Sequence, residues 1–401
     1  MSEIVLVTVS GADRPGLTSA FTTLLADAGA TLLDIGQAVV HSSLTFGLMV
    51  RVDADRIAGI TDAAQTLAER AGVNVNVTVV TPEMYGRWID QQKHQRFIVT
   101  LLGAHITAAQ LAAVTHRFVD HGLNIDLMER LSGRDVASRS TYPRMCIEFT
   151  LSGSAGNAAD LRKSLLSLAD EDDFDIAVQE DSLFRRNRRL VVFDMDSTLI
   201  QMEVIDELAQ RAGVYDAVSE ITASAMRGEI DLPTSFRQRM ALLKGLSTEA
   251  LDDVDLPLTP GTRRLMRTLK MLGYKTGIIS GGFTHFARRL QVDLGFDYVY
   301  AHELAVEDGR LTGDIVGGII DGPRKAEILR EIAGRENIAL AQTIAVGDGA
   351  NDLGMIEAAG LGVAYRAKPI VAAQADAQVN HGDLTSLLYF QGYTPEQFVT
   401  D

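Results

Sequence analysis

The feature that most constrains the fold is a short apolar run, Leu190-Val191-Val192-Phe193, which stops abruptly on Asp194-Met195-Asp196-Ser197-Thr198. A run this short and this apolar reads as a strand buried on both faces, as in parallel sheets covered by helices. The text beyond it keeps that alternation. A helical stretch leads to Lys275-Thr276-Gly277-Ile278-Ile279-Ser280, then a helix, then Thr343-Ile344-Ala345-Val346-Gly347-Asp348-Gly349-Ala350-Asn351-Asp352. Another helix and Leu361-Gly362-Val363-Ala364-Tyr365 follow. Residues 185–401 therefore predict an α/β domain with a Rossmann-like parallel sheet. Ligands in such sheets bind past the carboxyl ends of the strands, where these carboxylates fall.

If the first strand continued, Asp194 and Asp196 would point to the same side. Carboxylates that close repel unless a cation or a shared proton relieves them. The plainer alternative is a pair of caps for the next helix. The 343–352 segment adds Asp348 and Asp352, hard oxygen ligands suited to Mg²⁺, and glycines that allow close backbone approach. It is not a dinucleotide fingerprint, because Asp352 stands where the third glycine belongs. Ser280-Gly281-Gly282 ends a strand and offers a hydroxyl and amides to a phosphate oxygen. Lys325 falls in the first turn of a helix begun at Pro323, where a lysine opposes the helix dipole and is ordinarily solvated.

The front half predicts βαββαβ twice, over 1–83 and 96–178. The first copy has strands at Ile4–Val9, around a turn within Ala38–Val52, and at Val73–Val80, with helices at Leu17–Ala28 and Ile57–Ala71. The second repeats this order at a period near 90 residues, with Leu32-Leu33-Asp34-Ile35 aligned on Leu123-Asn124-Ile125-Asp126. Thr81–Gln95 reads as a polar linker, Ser132–Arg144 as an extra polar loop. An acidic stretch from Asp170 followed by Arg185, Arg186, Arg188 and Arg189 reads as a solvated connector.

A balance of 37 cationic against 53 acidic residues, net −16, disfavours nucleic acid and anionic membranes as partners. One cysteine, Cys146, excludes an intrachain disulfide and a cysteine zinc site, and suits a reducing cytoplasm. The first residues lack the pattern of a signal peptide, and no apolar run approaches membrane-spanning length. The eight histidines show no metal-ligand spacing; His285 follows the Ser280 segment but reads as packing.

In this order the four elements resemble the haloacid dehalogenase-like hydrolases, and within them the phosphoserine phosphatase family, over about 190–385. The resemblance implies Asp194 as nucleophile, Asp196 as acid and base, and Mg²⁺ held by Asp194, Asp348 and the Asp196 backbone carbonyl. It implies Ser280, Gly281 and Lys325 on the phosphoryl group, with Asn351, Asp352, Thr198 and Gly282 in support. A helical cap over about 203–257 would bring Glu203 to the substrate ammonium, Arg239 to its carboxylate, and Met226 nearby. Leu232 stands where the family tends to carry an aromatic. The implied reaction is hydrolysis of O-phosphoserine at the last step of L-serine biosynthesis.

The front half resembles two ACT domains, ferredoxin-like modules that bind amino acids. Asp13-Arg14-Pro15-Gly16-Leu17-Thr18 is the specific turn, and Gly103-Ala104-His105-Ile106-Thr107 its weaker counterpart. The resemblance implies a homodimer and L-serine as regulator, with Gly16, Asp34 and Gly103 as candidate ligand residues. A phosphatase for another small phosphomonoester, and an amino-acid-sensing protein with a vestigial catalytic half, are the alternatives. The intact set of Asp194, Asp196, Ser280, Lys325, Asp348 and Asp352 argues against the latter.

Overall fold

The computed structural model describes residues 2–91, 95–133, 145–153 and 158–399, which form two compact units, 1–94 and 95–401. In the first, β1 (Ser2–Ala12), β2 (Thr31–Val40), β3 (Ser43–Asp53) and β4 (Val73–Val80) form an antiparallel sheet in the order β2-β3-β1-β4. Val5, Val7 and Val9 alternate inward from β1 and pack under the helices Leu17–Asp27 and Ile57–Ala71. Phe21 meets Phe46 edge to face, ring centroids 5.7 Å apart.

Two expectations here need correction. β2 starts at Thr31, not Ala38, and its pairing with β3 skips Leu33. Pro82–Gln91, within the expected linker, is a helix. Thr81 Oγ1 accepts the Met84 amide, Pro82 opens the first turn, and Tyr85 stacks on Trp88 one turn apart. Polarity concealed an ordinary helix start.

In the second unit β5 (Arg96–Gly103), β6 (Leu123–Arg130), β7 (Met145–Gly153) and β8 (Asp175–Glu180) repeat the topology. Helices Ala108–Asp120 and Ala158–Glu171 cover one face. β6 skips Asp126 as β2 skips Leu33, and Gly29 and Gly122 take the same left-handed turn after the preceding helix. Both pairs are 93 apart, so the structural alignment lies two residues from the sequence alignment. The 132–144 loop falls outside the described residues beyond Gly133.

This sheet does not end at β8. The remaining strands are β9 (Leu190–Phe193), β10 (Lys275–Phe283), β11 (Tyr298–Glu307), β12 (Arg310–Val316), β13 (Thr343–Gly347), β14 (Leu361–Tyr365) and β15 (Ala377–Val379). One eleven-stranded sheet runs β12-β11-β10-β9-β13-β14-β15-β8-β5-β7-β6. β9, wholly buried, lies parallel between β10 and β13, as its apolar run requires. The β11–β12 hairpin and β15 were not anticipated. β15 joins β8 antiparallel at Ala377 opposite Ala177.

The junction is polar and buried. The Asp175 carboxylate, fully buried, accepts the amides of Asn380, His381 and Gly382 at 2.6–2.9 Å. Arg185 pairs with Glu148, and Arg188 donates to Gln179 and to the Thr343 carbonyl. The connector is thus only partly solvated: Arg185 and Arg188 are buried while Arg186 is exposed. Among the described residues no helix is long and apolar enough to cross a membrane. Asp175→Ala, which strands three amides, should cost about 2–3 kcal/mol in denaturant unfolding; a change under about 0.5 kcal/mol would show that water replaces the carboxylate.

Candidate active site

β9 delivers Asp194 beyond its last rung. The Asp194 amide donates to the Val346 carbonyl at 2.9 Å, locking the first motif to β13. Its carboxylate accepts the Met195 amide at 2.7 Å. The strand does not continue. Ser197 adopts φ 55°, ψ 0°, and the Ile200 amide reaches back to the Met195 carbonyl. A non-glycine residue in the left-handed region marks local strain. Here the turn folds Asp196 into the same cavity as Asp194. The Ser197 hydroxyl donates to Glu203 at 2.7 Å, fixing the first cap residue.

Lys325 comes from the helix Gly322–Arg335, whose start Asp321 caps through the Arg324 amide. It is fully buried, not solvated, with Nζ 3.0 Å from Asp194 Oδ1 and 2.7 Å from Asp352 Oδ1. Burial alone would lower its pKa, but Asp194 and Asp352 overcome this and hold it above its ordinary value. Asp352 Oδ2 accepts the amides of Asp348 and Gly349. A Cβ on Gly347 would lie 2.4 Å from the Asp352 carboxyl carbon, so only glycine lets that carboxylate tuck beneath the strand end. Thr198 donates to Asp348 Oδ1 at 3.3 Å.

Asp194, Asp196 and Asp348 open onto a cavity of about 410 Å³, whose lining does not include Lys325, Asp352 or Thr198. It is lined by Asp194, Asp196, Ser280, Gly281, Gly282, Asp348 and Asn351 from the sheet side, and by Glu203 and Arg239 from the cap helices. Those helices span Val204–Ala212, Tyr215–Met226, Leu232–Leu242 and Glu249–Asp252. Leu232 also lines the cavity; the Met226 side chain lies outside those described. His285 does not line it, and sits 3.2 Å from Asp252. Asp206, Ser235, Phe236, His302 and Lys368 line it without having been singled out in the sequence. Gly16 and Asp34 belong to the first unit, and Gly103 ends β5, where a Cβ would collide with Ile106.

Several carboxylates share one largely buried space. Burial, with Glu203 and Asp194 nearby, pushes Asp196 well above the usual range, and its Oδ1 is buried without a protein partner. Such a group keeps its proton to higher pH than an ordinary carboxyl, the direction a general acid needs. Burial, then Asp194 and Asp352, raise Asp348 to about 7; burial and Asp194 raise Asp352 to about 6 against the pull of Lys325. Glu203 is raised by burial and by Asp194. Ligand oxygens of Asp194, Asp348 and Asp352 lie within 4.8 Å of one another, a spacing that suits a cation. Both Asp352 oxygens already accept hydrogen bonds, whereas Asp194 and Asp348 are engaged through Oδ1, which leaves the second oxygen of each for a cation. Few protein ligands with remaining waters is what Mg²⁺ prefers.

Chemistry of this kind belongs to hydrolases that pass a phosphoryl group through a carboxylate. Residues 188–360 match the haloacid dehalogenase-like hydrolase family, and 3–78 and 95–179 match ACT domains. Phosphoserine phosphatase SerB2 of Mycobacterium tuberculosis is 40% identical over 97% of this chain and 93% of its own. The phosphoserine phosphatase of Streptomyces coelicolor is 41% identical over 98% and 93%. Among solved structures, a probable phosphoserine phosphatase from Vibrio cholerae superposes with TM-score 0.58 at 34% identity, over 75% of this chain and 87% of its own. A hydrolase of the same superfamily from Salmonella enterica serovar Typhi gives 0.64 at 30%, over 74% and 98%. The chain belongs to the phosphoserine phosphatase family of haloacid dehalogenase-like hydrolases.

The raised Asp348 has a consequence for stability. An acid whose pKa rises on folding stabilises the fold below its ordinary value, near 4, and that contribution fades as pH climbs through about 7. In chelator, unfolding free energy should therefore fall from pH 4 to 7, and Asp348→Asn should flatten the slope. An unchanged slope would remove Asp348 from the crowded set.

Proposed function

We propose that the chain hydrolyses O-phospho-L-serine to L-serine and phosphate by way of an aspartyl-phosphate on Asp194. One observation carries the reading. A single cavity is lined both by Glu203 and Arg239, able to take an ammonium and a carboxylate, and by Asp194 and the Ser280-Gly281 segment, able to take a phosphoryl group.

In the first step an Asp194 carboxylate oxygen bonds to phosphorus as the bond from phosphorus to the serine oxygen breaks. Asp196, protonated, gives its proton to that leaving oxygen. In the second, water attacks phosphorus, the acyl-phosphate bond breaks, and Asp196 takes the proton back. Ser280, the Gly281 amide and Lys325 hold the phosphoryl oxygens, where positioning and electrostatics supply most of the rate. Asn351 and Asp352 orient substrate and Lys325. Asp194, Asp348 and the Asp196 backbone carbonyl would hold Mg²⁺, which when bound neutralises part of the repulsion between carboxylate and phosphate.

Asp194→Asn should abolish turnover while leaving substrate binding largely in place; near-normal turnover would overturn the assignment. Arg239→Ala should lose about 10–150-fold in kcat/KM on O-phosphoserine, the equivalent of about 1.5–3 kcal/mol, and far less on an aryl phosphate. Equal losses on both would place Arg239 on the phosphate instead.

The ACT domains support regulation by an amino acid, for which L-serine, the product, is our choice, and a cytoplasmic homodimer assembled through them. The first turn is the better seat. Gly16 has φ 95° and no side chain caps the helix behind it, whereas Thr107 and Gln110 close a capping box on the equivalent helix of the second copy. The amides of Leu17 and Thr18 would take the serine carboxylate and Asp34 the ammonium. Because Gly16 is left-handed, any side chain there strains the backbone whatever it binds, so Asp34 gives the cleaner test. Calorimetry on the whole chain should show L-serine binding weakened about tenfold or more by Asp34→Ala; unchanged affinity would exclude this seat.

A further inference from the structure

The segment that would hold the phosphoryl group is irregular. Between the pairs Ile279 with Tyr300 and Phe283 with His302, three residues of β10 oppose one of β11. Such a bulge withdraws backbone groups from the ladder and needs another partner for each that stays buried. The Gly281 carbonyl finds its partner in a side chain: His302 Nδ1 lies 2.9 Å away.

The other ring nitrogen settles the tautomer. The Ile320 amide donates to His302 Nε2 at 2.7 Å, so Nε2 is bare and Nδ1 carries the proton that Gly281 accepts. His302 is 3% exposed, and burial holds its pKa below the ordinary value, in keeping with a neutral ring. Phe236, on the cap helix Leu232–Leu242, lies against the ring with centroids 4.4 Å apart.

The peptide that accepts from His302 continues into Gly282, whose amide donates to Ser280 Oγ at 2.9 Å. With one lone pair occupied by that amide, the Ser280 hydroxyl is turned so that its own proton faces away from Gly282. Ile320, at the other nitrogen, directly precedes Asp321, the cap of the Lys325 helix. One imidazole therefore holds, at its two nitrogens, both chain segments that present phosphoryl-binding groups.

We propose that His302 is a positioning residue which, through the Gly281–Gly282 peptide and the Ile320 amide, sets the Ser280 hydroxyl and the Lys325 helix in the geometry needed for phosphoryl transfer. It does not touch the reacting atoms. The inference rests on the phosphatase reading of this cavity but not on which phosphomonoester is the natural substrate.

Two variants separate hydrogen bonding from packing. His302→Phe keeps a ring against Phe236 and removes both hydrogen bonds. His302→Asn keeps a donor and an acceptor, too short to span both partners, and removes the ring. Turnover of O-phosphoserine and of an aryl phosphate is measured for each, with folding checked by circular dichroism. His302→Phe should lower kcat on both substrates by about tenfold to a hundredfold, the scale of a small misplacement, with KM for O-phosphoserine moving much less. His302→Asn should fall severalfold, equally on both substrates, and stay above the Phe variant. A Phe variant within about twofold of wild type, an Asn variant below it, or a loss confined to KM would overturn the proposal. If the Phe variant does not fold, the Asn variant decides alone: wild-type kcat, or a loss on O-phosphoserine only, overturns it. Failure of the wild type on O-phosphoserine with turnover of the aryl phosphate would overturn the substrate assignment and leave the His302 comparison intact.

Discussion

Lys325 between Asp194 and Asp352 is the contact on which the site depends. Several carboxylates meet at the end of β9 and its neighbours, and Lys325 is the cation buried beneath them. Removing one partner of a buried pair leaves an uncompensated charge, so the surroundings are built to hold all three together. Two amides hold the far side of Asp352, and Gly347 gives up a side chain to admit it. The strain at Ser197 folds Asp196 into the group instead of away from it. Burial and the neighbouring carboxylates raise the pKa of Asp196, and on the proposed reading this repulsion lets it carry a proton beside Asp194 and makes a divalent cation welcome.

Around this centre the cavity is lined from two supports, the sheet and the cap helices. On the proposed reading the sheet edge holds the groups for phosphate, and the cap residues Glu203 and Arg239 those for an amino acid. The His302 ring, against Phe236, is one place where the two supports touch. On the other side of the sheet order, β15 and β8 join the second ACT domain to the catalytic strands. That domain cannot swing freely without breaking ladder hydrogen bonds and the buried contacts of Asp175, Arg185 and Arg188. A module of an amino-acid-binding class is thus built into the sheet that carries Asp194.

Much of this was legible in the residues. A buried strand ending in carboxylates, repeated at β9 and β13, announces both the parallel sheet and its reactive edge, because burial and termination are local properties. Both βαββαβ copies were readable from periodicity and glycine turns. The failures are those of residues whose role is tertiary. Ala377-Gln378-Val379 is too short to read as a strand, and becomes one only because β8 is there to pair with. Arg185 and Arg188 look like surface charge until β7 brings Glu148 to Arg185 and β8 sets Gln179 beside Arg188. Lys325 looked solvated because a helix start ordinarily is. His302 carried no signal at all, since its partners are two backbone groups, far apart in sequence.

The central claim is that Asp194, paired with Lys325, forms the covalent bond to phosphorus. Acid-quenched single turnover with phosphorus-labelled O-phosphoserine, followed by proteolysis and mass spectrometry, tests it most directly. The account predicts a transient acyl-phosphate on the peptide containing Asp194, decaying as free phosphate appears. Label on another residue, or phosphate released from the first time points with no labelled protein under conditions that slow the second step, would contradict it.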